Sequence, residues 1–203
     1  IMLRLAGCPL KCSYCDSIYA KSDGIDMSAR EVAQKVWELM GKHHTHWLDI
    51  SGGEPLLQSD RIEELVNMPL TYTRIEVETS GYFSPPTWVG KVHSWSVDYK
   101  CPSSGEKPEE IKQWITLLNS RIGTSKLDWL KFVVSNSDDL QFVLSNRVSG
   151  LTNVVSPMIK AEGEGIPINQ LQWVRQVYDF CLLHGFHFGL QIHKVVYGNR
   201  NDV

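Results

Sequence analysis

The chain has 203 residues, 42% of them hydrophobic and 21% charged, with a formal net charge of −3 at pH 7. That is one domain's worth of chain, able to bury a core of its own and unlike a disordered tail. Fifteen glycines and nine prolines exclude collagen-like and low-complexity classes, the small negative charge argues against a strong nonspecific grip on nucleic acid, and no run approaches the roughly 18 apolar residues of a membrane helix.

The first candidate strand is Met2–Leu5. The chain starts on Ile1 and runs straight into this apolar segment, and an N-terminal segment ahead of it is expected to be missing. Directly after the strand, Gly7-Cys8-Pro9-Leu10-Lys11-Cys12-Ser13-Tyr14-Cys15-Asp16 spells C-x3-C-x2-C. The chain has five cysteines, the other two being Cys101 and Cys181. An odd number with three packed together is a poor disulfide framework and a good metal site. With no signal-peptide pattern at the start, a reducing, cytoplasmic compartment is expected. Three thiolates this close can hold three corners of a [4Fe–4S] cubane, which normally wants four cysteines, so one iron would stay open to a non-protein ligand. The competing reading is a zinc site completed by Cys101 or by a histidine of His43-His44-Thr45-His46. Those three histidines also fit a solvated helix end.

Ser28 with Glu31 three residues on forms a capping box, followed by Val32, Val36, Leu39 and Met40 at helical spacing. Next comes the strand Trp47–Ile50, which runs directly into Ser51-Gly52-Gly53-Glu54-Pro55. Paired glycines let the backbone approach a ligand closely, and Glu54 is an acceptor suited to a cationic amine. Asp60 and Glu63 open a shorter helix, and Arg74–Val77 is the third strand, followed by Glu78-Thr79-Ser80-Gly81. Trp95–Asp98 leads into Asp98-Tyr99-Lys100-Cys101-Pro102-Ser103-Ser104-Gly105, where Lys100 offers one positive charge at the mouth. Pro108 sits where a first-turn proline belongs, ahead of Ile111, Ile115 and Leu118. Leu130–Val134 is a strand whose Lys131 is expected to lie outside the site. Asp138–Asn146 reads as a helix, Asn153–Ser156 as a strand, Ala161–Ile166 as a loop, and Asn169–His184 as a helix stopped by Gly185. Cys181 falls in that helix's apolar stripe as a core residue. The last strand is Phe188–His193, on which Gln191 and His193 alternate onto one face.

Seven short strands alternating with helices predict an α/β fold with a parallel sheet and crossover helices. The length is short for a full eight-stranded barrel, so a partial, open parallel (β/α)6-type barrel over residues 1–203, as one domain, is expected. The three-cysteine loop then sits at the C-terminal ends of the strands, where sites lie in parallel α/β folds.

The triplet with Tyr14 before its last cysteine, together with Gly52-Gly53-Glu54-Pro55, resembles the radical S-adenosylmethionine superfamily. The fuller set resembles one family within it, the 7-carboxy-7-deazaguanine synthases. That set is Arg4-Leu5-Ala6-Gly7-Cys8, Cys12-Ser13-Tyr14-Cys15-Asp16, Ser51-Gly52-Gly53-Glu54-Pro55, Glu78-Thr79-Ser80-Gly81, Asp98 to Gly105, Ser156-Pro157 and Gln191-Ile192-His193-Lys194. The resemblance implies a lyase that turns 6-carboxy-5,6,7,8-tetrahydropterin into 7-carboxy-7-deazaguanine. It would use a [4Fe–4S] cluster, S-adenosylmethionine, Mg2+ and an external electron donor of flavodoxin or ferredoxin type. It further implies a cytoplasmic homodimer with no membrane and no direct nucleic-acid partner.

By the same resemblance Cys8, Cys12 and Cys15 ligate the cluster. Tyr14, Cys15, Asp16, Gly53, Glu54, Ser80, Gly81, Tyr99 and Lys100 line the S-adenosylmethionine site. Arg4, Thr79, Gln191 and His193 face the pterin, with the Arg4 guanidinium a bidentate match for a carboxylate. Ser17 stands where the family commonly has Thr, and its hydroxyl is the expected Mg2+ ligand. A Q-G-E-G type segment common in the family ahead of the first strand is not present. Two alternatives remain open: another small radical enzyme such as a glycyl-radical activase, and a non-enzymatic iron–sulfur carrier or zinc-binding module.

Overall fold

A computed structural model describes residues 1–69, 73–160 and 167–198. Seven strands form one sheet: β1 (Met2–Leu5), β2 (Trp47–Gly52), β3 (Arg74–Thr79), β4 (Ser94–Asp98), β5 (Trp129–Val134), β6 (Thr152–Pro157) and β7 (His187–Phe188). Every neighbouring pair is parallel and the spatial order is the chain order, β1 to β7. Six α-helices accompany them: α1 (Ala29–His43), α2 (Ser59–Val66), α3 (Ile111–Ser120), α4 (Ser137–Ser145), α5 (Ile168–His184) and α6 (Ile192–Tyr197). A parallel sheet wound in sequence order with helices as crossovers is a partial barrel, here left open between β1 and β7.

The strands alternate strictly. Leu48, Ile50, Ile75, Val77, Trp95, Val97, Leu130, Phe132, Val134 and Val155 point toward the helices and are buried. The opposite parity is polar on most strands: Asp49 and Ser51, Glu76 and Glu78, Ser94, Ser96 and Asp98, then Lys131. The core therefore sits between sheet and helices, and the inner, concave face carries the polar groups. Trp95 anchors that core, with ring centroids 5.5 Å from Trp88 and 4.8 Å from Trp114. A buried Arg121–Asp128 ion pair, 2.5 Å between Nε and Oδ2, is tied to the same strand through Trp95 N–H, which donates to Asp128 Oδ1 at 2.9 Å.

The helix boundaries follow their capping chemistry. Ser28 caps α1 with both arms of the capping box formed, and His44 ends it in the left-handed conformation at φ 50°. Asn136 caps α4 through Asp139 N–H, and Gly185 ends α5 at φ 69°. Three expectations change. Pro108 is not in a first turn, because α3 starts at Ile111 behind Glu110. Lys131 faces inward, since β5 alternation sends Leu130 and Phe132 to the core and leaves Lys131 opposite them. The last strand does not run to His193: β7 is two residues long, and the chain turns at Gly189 into α6, so Gln191 and His193 do not share a strand face. The Ala161–Ile166 loop lies outside the described residues.

Ser28→Ala removes the acceptor for Glu31 N–H at the start of α1 and is expected to lower the melting temperature by about 2–4 °C. Thermal melts of the two proteins followed by circular dichroism check this.

Candidate active site

The loop after β1 carries the three cysteines and is pinned on three sides. Toward β2, Gly53 N–H donates to Leu5 O at 2.9 Å and Glu54 N–H to Gly7 O at 2.8 Å. Toward the segment after β4, Ser13 N–H donates to Ser104 O at 2.9 Å, Ser13 Oγ to Ser103 O at 2.6 Å, and Lys11 N–H to Glu106 Oε1 at 2.6 Å. That segment is itself held by the buried Asp139 of α4, which accepts from Ser103 and from Ser135 N–H. Toward α6, Asp16 Oδ2 meets Lys194 Nζ at 2.7 Å and Gln191 Nε2 at 2.8 Å. The first of these contacts needs glycine. A Cβ on Gly52, whose φ is 142°, would stand 2.1 Å from Leu5 O, and one on Gly53 would stand 2.1 Å from Gly7 O and 2.9 Å from Cys8 Cβ.

Cys8, Cys12 and Cys15 are free and half-buried. Burial pushes the Cys8 and Cys12 thiols up, with the nearby Lys100 charge pulling Cys12 the other way. At neutral pH both are thiols until an iron–sulfur group replaces their protons. A single zinc ion, with bonds of about 2.3 Å, would hold thiolates roughly 3.8 Å apart. Among the described residues, the ligand-atom trio lying within 4.8 Å of one another is Asp49, Glu76 and Glu78 instead. Cys101 and Cys181 are buried in the core, with burial pushing the Cys181 thiol up to about 11 and Cys101 well above its usual range.

Glu54 is fully buried. Its Oε1 accepts from Thr79 Oγ1 at 2.8 Å and Leu56 N–H at 3.1 Å, and its Oε2 accepts from Ser80 N–H at 2.8 Å and from the Ser80 hydroxyl. Four donors match the four or so acceptor positions of a carboxylate. Glu54, Thr79 and Ser80 thus form one buried knot joining the ends of β2 and β3, with Gly81 at its rim. The sequence pattern assigns Thr79 to the pterin; the structure commits its hydroxyl to Glu54.

Lys100 and Asp98 form a pair at 2.6 Å on the inner parity of β4. Burial disfavours the charged Lys100, but Asp98 and the groups of the cysteine loop outweigh it and keep the ammonium form. Tyr99, one residue away, turns its ring to the opposite side. It stacks on Phe132 at 5.5 Å, meets Phe142 edge-on at 5.3 Å and donates to Asn146 Oδ1 at 3.0 Å. Its ring therefore packs on the core side of the sheet, away from the Asp98–Lys100 pair. Tyr14 is nearly buried beside the cysteines, and desolvation drives its phenol far up.

On β1 the exposed Arg4 lies against Ser17, Nη1 to Oγ 3.4 Å, and over the Tyr19 ring at 5.7 Å. Ser17 Oγ donates to Asp16 Oδ1 at 3.0 Å. Burial alone would raise the Asp16 carboxyl, but the Lys194 charge and the hydrogen bonds from Lys194, Gln191 and Ser17 hold it well below the ordinary carboxylate range. Gln191 is brought to the site by preceding α6, not by a strand face. The side chain of His193 lies outside the described residues.

The sequence reading passed over the concave floor. Asp49 and Glu76 are paired in register across β2 and β3. Ser51 Oγ donates to Glu78 Oε2 at 3.0 Å, and Lys131 Nζ lies 3.9 Å from Glu78 Oε1. The signal was present as acidic residues at every second position of W-L-D-I and R-I-E-V-E. Desolvation and then the Glu78 charge push Asp49 up to about 7, and desolvation followed by the charges of Asp49 and Glu78 pushes Glu76 up to about 7.

The sequence model of the Radical SAM superfamily matches residues 2–94. A protein of Methanospirillum hungatei named 7-carboxy-7-deazaguanine synthase is 39% identical over 143 residues, 70% of this chain and 56% of its own length. One of Koribacter versatilis with the same name is 33% identical over 164 residues, 78% of this chain and 67% of its own length. In fold the chain is similar to Streptococcus suis SuiB, solved with S-adenosylmethionine bound, at TM-score 0.61 and 14% identity, over 94% of this chain and 49% of that one.

The raised Asp49 and Glu76 give a pH prediction. The unfolded chain releases these protons near 3.8 and 4.5, and the folded chain keeps them to about 7. Stability from this pair therefore falls as pH rises from about 4 to 7, and the penalty is complete above that. Asp49→Asn is expected to raise the melting temperature at pH 8 by several degrees and to change it little at pH 5. Melts at the two pH values check this, and an equal shift at both would contradict it.

Proposed function

The chain belongs to the 7-carboxy-7-deazaguanine synthase family of radical S-adenosylmethionine enzymes, and on that premise we propose its reaction and the roles of its residues. It is a carbon–nitrogen lyase that converts 6-carboxy-5,6,7,8-tetrahydropterin to 7-carboxy-7-deazaguanine, contracting one ring and releasing one ammonia per turnover. The product feeds 7-deazapurine nucleosides of the queuosine or archaeosine type. The observation that carries the reading is the loop with three free thiols seated against Gly53 at the strand-end face.

The cluster and S-adenosylmethionine, when bound, supply the 5′-deoxyadenosyl radical that removes hydrogen from C6 of the pterin. The chain binds and orients. Cys8, Cys12 and Cys15 hold three irons, leaving one open. Gly53 keeps the wall beside Cys8 free of a side chain. Glu54 and Ser80 face the methionine ammonium, with the Ser80 hydroxyl as the donor that gives way. Gly81, the Tyr99 backbone, Tyr14, Asp16 and Lys100 complete that side, the Lys100 ammonium suiting a carboxylate. Arg4 takes the pterin carboxylate, and the Ser17 hydroxyl beside it would hold a Mg2+, which would supply further charge stabilisation there. Gln191 and His193 complete the pterin side, while Thr79 holds the Glu54 carboxylate. An external one-electron donor of flavodoxin or ferredoxin type reduces the site, and free thiols suit a reducing cytoplasm. The polar concave floor fits a hydrogen-bonding heterocycle better than an apolar peptide segment, which favours the pterin over a polypeptide substrate.

Anaerobic reconstitution with iron and sulfide, followed by S-adenosylmethionine, dithionite, Mg2+ and the pterin, is expected to give 7-carboxy-7-deazaguanine and 5′-deoxyadenosine, both absent in Cys12→Ala. Deoxyadenosine without the deazaguanine would move the substrate assignment, and neither product from an intact cluster would overturn the catalytic reading.

We also propose a homodimer, joined through the apolar surface of α5 and α6. Leu183 is 79% exposed, Leu182 66% and Ile192 64%, a concentration a monomer rarely leaves in water. Light scattering is expected to give twice the chain mass for the natural sequence and a monomer for Leu183→Asp.

A further inference from the structure

Lys194 belongs to α6, and the roles assigned above make no use of it. Its side chain is 8% exposed, a rare position for a lysine. Nζ donates to Asp16 Oδ2 at 2.7 Å and to Ile159 O at 3.1 Å. An ammonium withdrawn from water this far is unfavourable unless it is paired, and an apolar side chain would fill the inner side of α6 at lower cost. The group therefore points to what it holds.

It holds Asp16, which stands between Cys15 and Ser17. Both oxygens of that carboxylate are in use: Oδ2 takes Lys194 and Gln191, and Oδ1 takes the Ser17 hydroxyl at 3.0 Å. Ser17 Oγ accepts from Arg4 in turn. One run of contacts thus leads from the backbone after β6, through Lys194 and Asp16, to Ser17 and Arg4. Gln191 cannot replace the lysine in that run, because its amide brings one neutral donor and precedes the hydrogen-bonded body of α6. Without Lys194, Oδ2 keeps a single partner and the carboxylate is free to turn away from Ser17.

We propose that Lys194 is a positioning residue. It fixes the Asp16 carboxylate and through it the direction of the Ser17 hydroxyl, so that divalent-cation affinity depends on a helix that does not touch the cation. This deepens the reading of Ser17 as a Mg2+ ligand and rests on it. The neighbours that orient a metal ligand are worth about 10- to 100-fold in metal affinity elsewhere, and the effect here is expected at the lower end.

The test uses the full chain carrying its cluster, with S-adenosylmethionine and the pterin bound. Mn2+ replaces Mg2+ and is counted by its EPR signal, and the Mg2+ concentration for half-maximal turnover is measured beside it. Lys194→Met is expected to weaken both by about tenfold while turnover at saturating Mg2+ changes much less, and Lys194→Gln to fall between. Ser17→Ala should weaken both at least as much. If Ser17→Ala shifts both and neither Lys194 variant does, the positioning role is overturned and the Ser17 reading stands. If Ser17→Ala shifts neither, the Ser17 reading falls and the positioning role falls with it. Should Lys194→Met fail to fold, the comparison is read from Lys194→Gln, with melts and cluster absorbance confirming that it is intact.

Discussion

The first strand and the turn after the second approach so closely that no side chain fits between them. Gly52 and Gly53 supply the missing bulk, and the two backbone bonds from Gly53 and Glu54 to Leu5 and Gly7 are the result. The cysteine loop takes its position from that contact, since Cys8 leaves Gly7 directly against Gly53. The same turn carries Glu54 into its knot with Thr79 and Ser80, so the ends of three strands are locked together by one dipeptide that lacks Cβ atoms. Larger residues there would separate β1 from β2 and move the thiols away from the strand-end face.

The two faces of the sheet divide the labour. The outward parity packs tryptophan, leucine, isoleucine and valine against the helices and supplies the stability. The inward parity carries serine, carboxylates and lysine, which stabilise little and in the case of Asp49 and Glu76 oppose folding at neutral pH. Such a face is kept for what it binds, and its groups are held apart from the core by one residue of strand alternation.

Much of this was legible in the chain itself. Strand positions, the capping box at Ser28 and the glycine stop at Gly185 follow from local chemistry, and they appear where the pattern puts them. The cysteine loop and the paired glycines were legible as a site because residue type and spacing speak directly to metal and backbone approach. What was not legible depends on which way a residue faces once its strand begins. Lys131 is expected outside the site, although the alternation of its own strand turns it inward. Gln191 and His193 were misread for another reason: six residues of Ile192–Tyr197 suit a strand by composition, and only the turn at Gly189 sends them into a helix. Lys194 and Asp16 are 178 positions apart (194 − 16), and no local pattern announces a contact of that range.

That last contact also has an order in time. Synthesis delivers the three cysteines well before Lys194, so the loop emerges long before the charge that settles Asp16. A contact across that separation closes a very large loop and is expected late in folding. The nascent protein therefore exposes thiols whose surroundings are unfinished, and a translation product cut short before α6 would keep every cysteine yet lack the clamp on Asp16. Integrity of α6 is in this way written into the geometry of the cysteine loop.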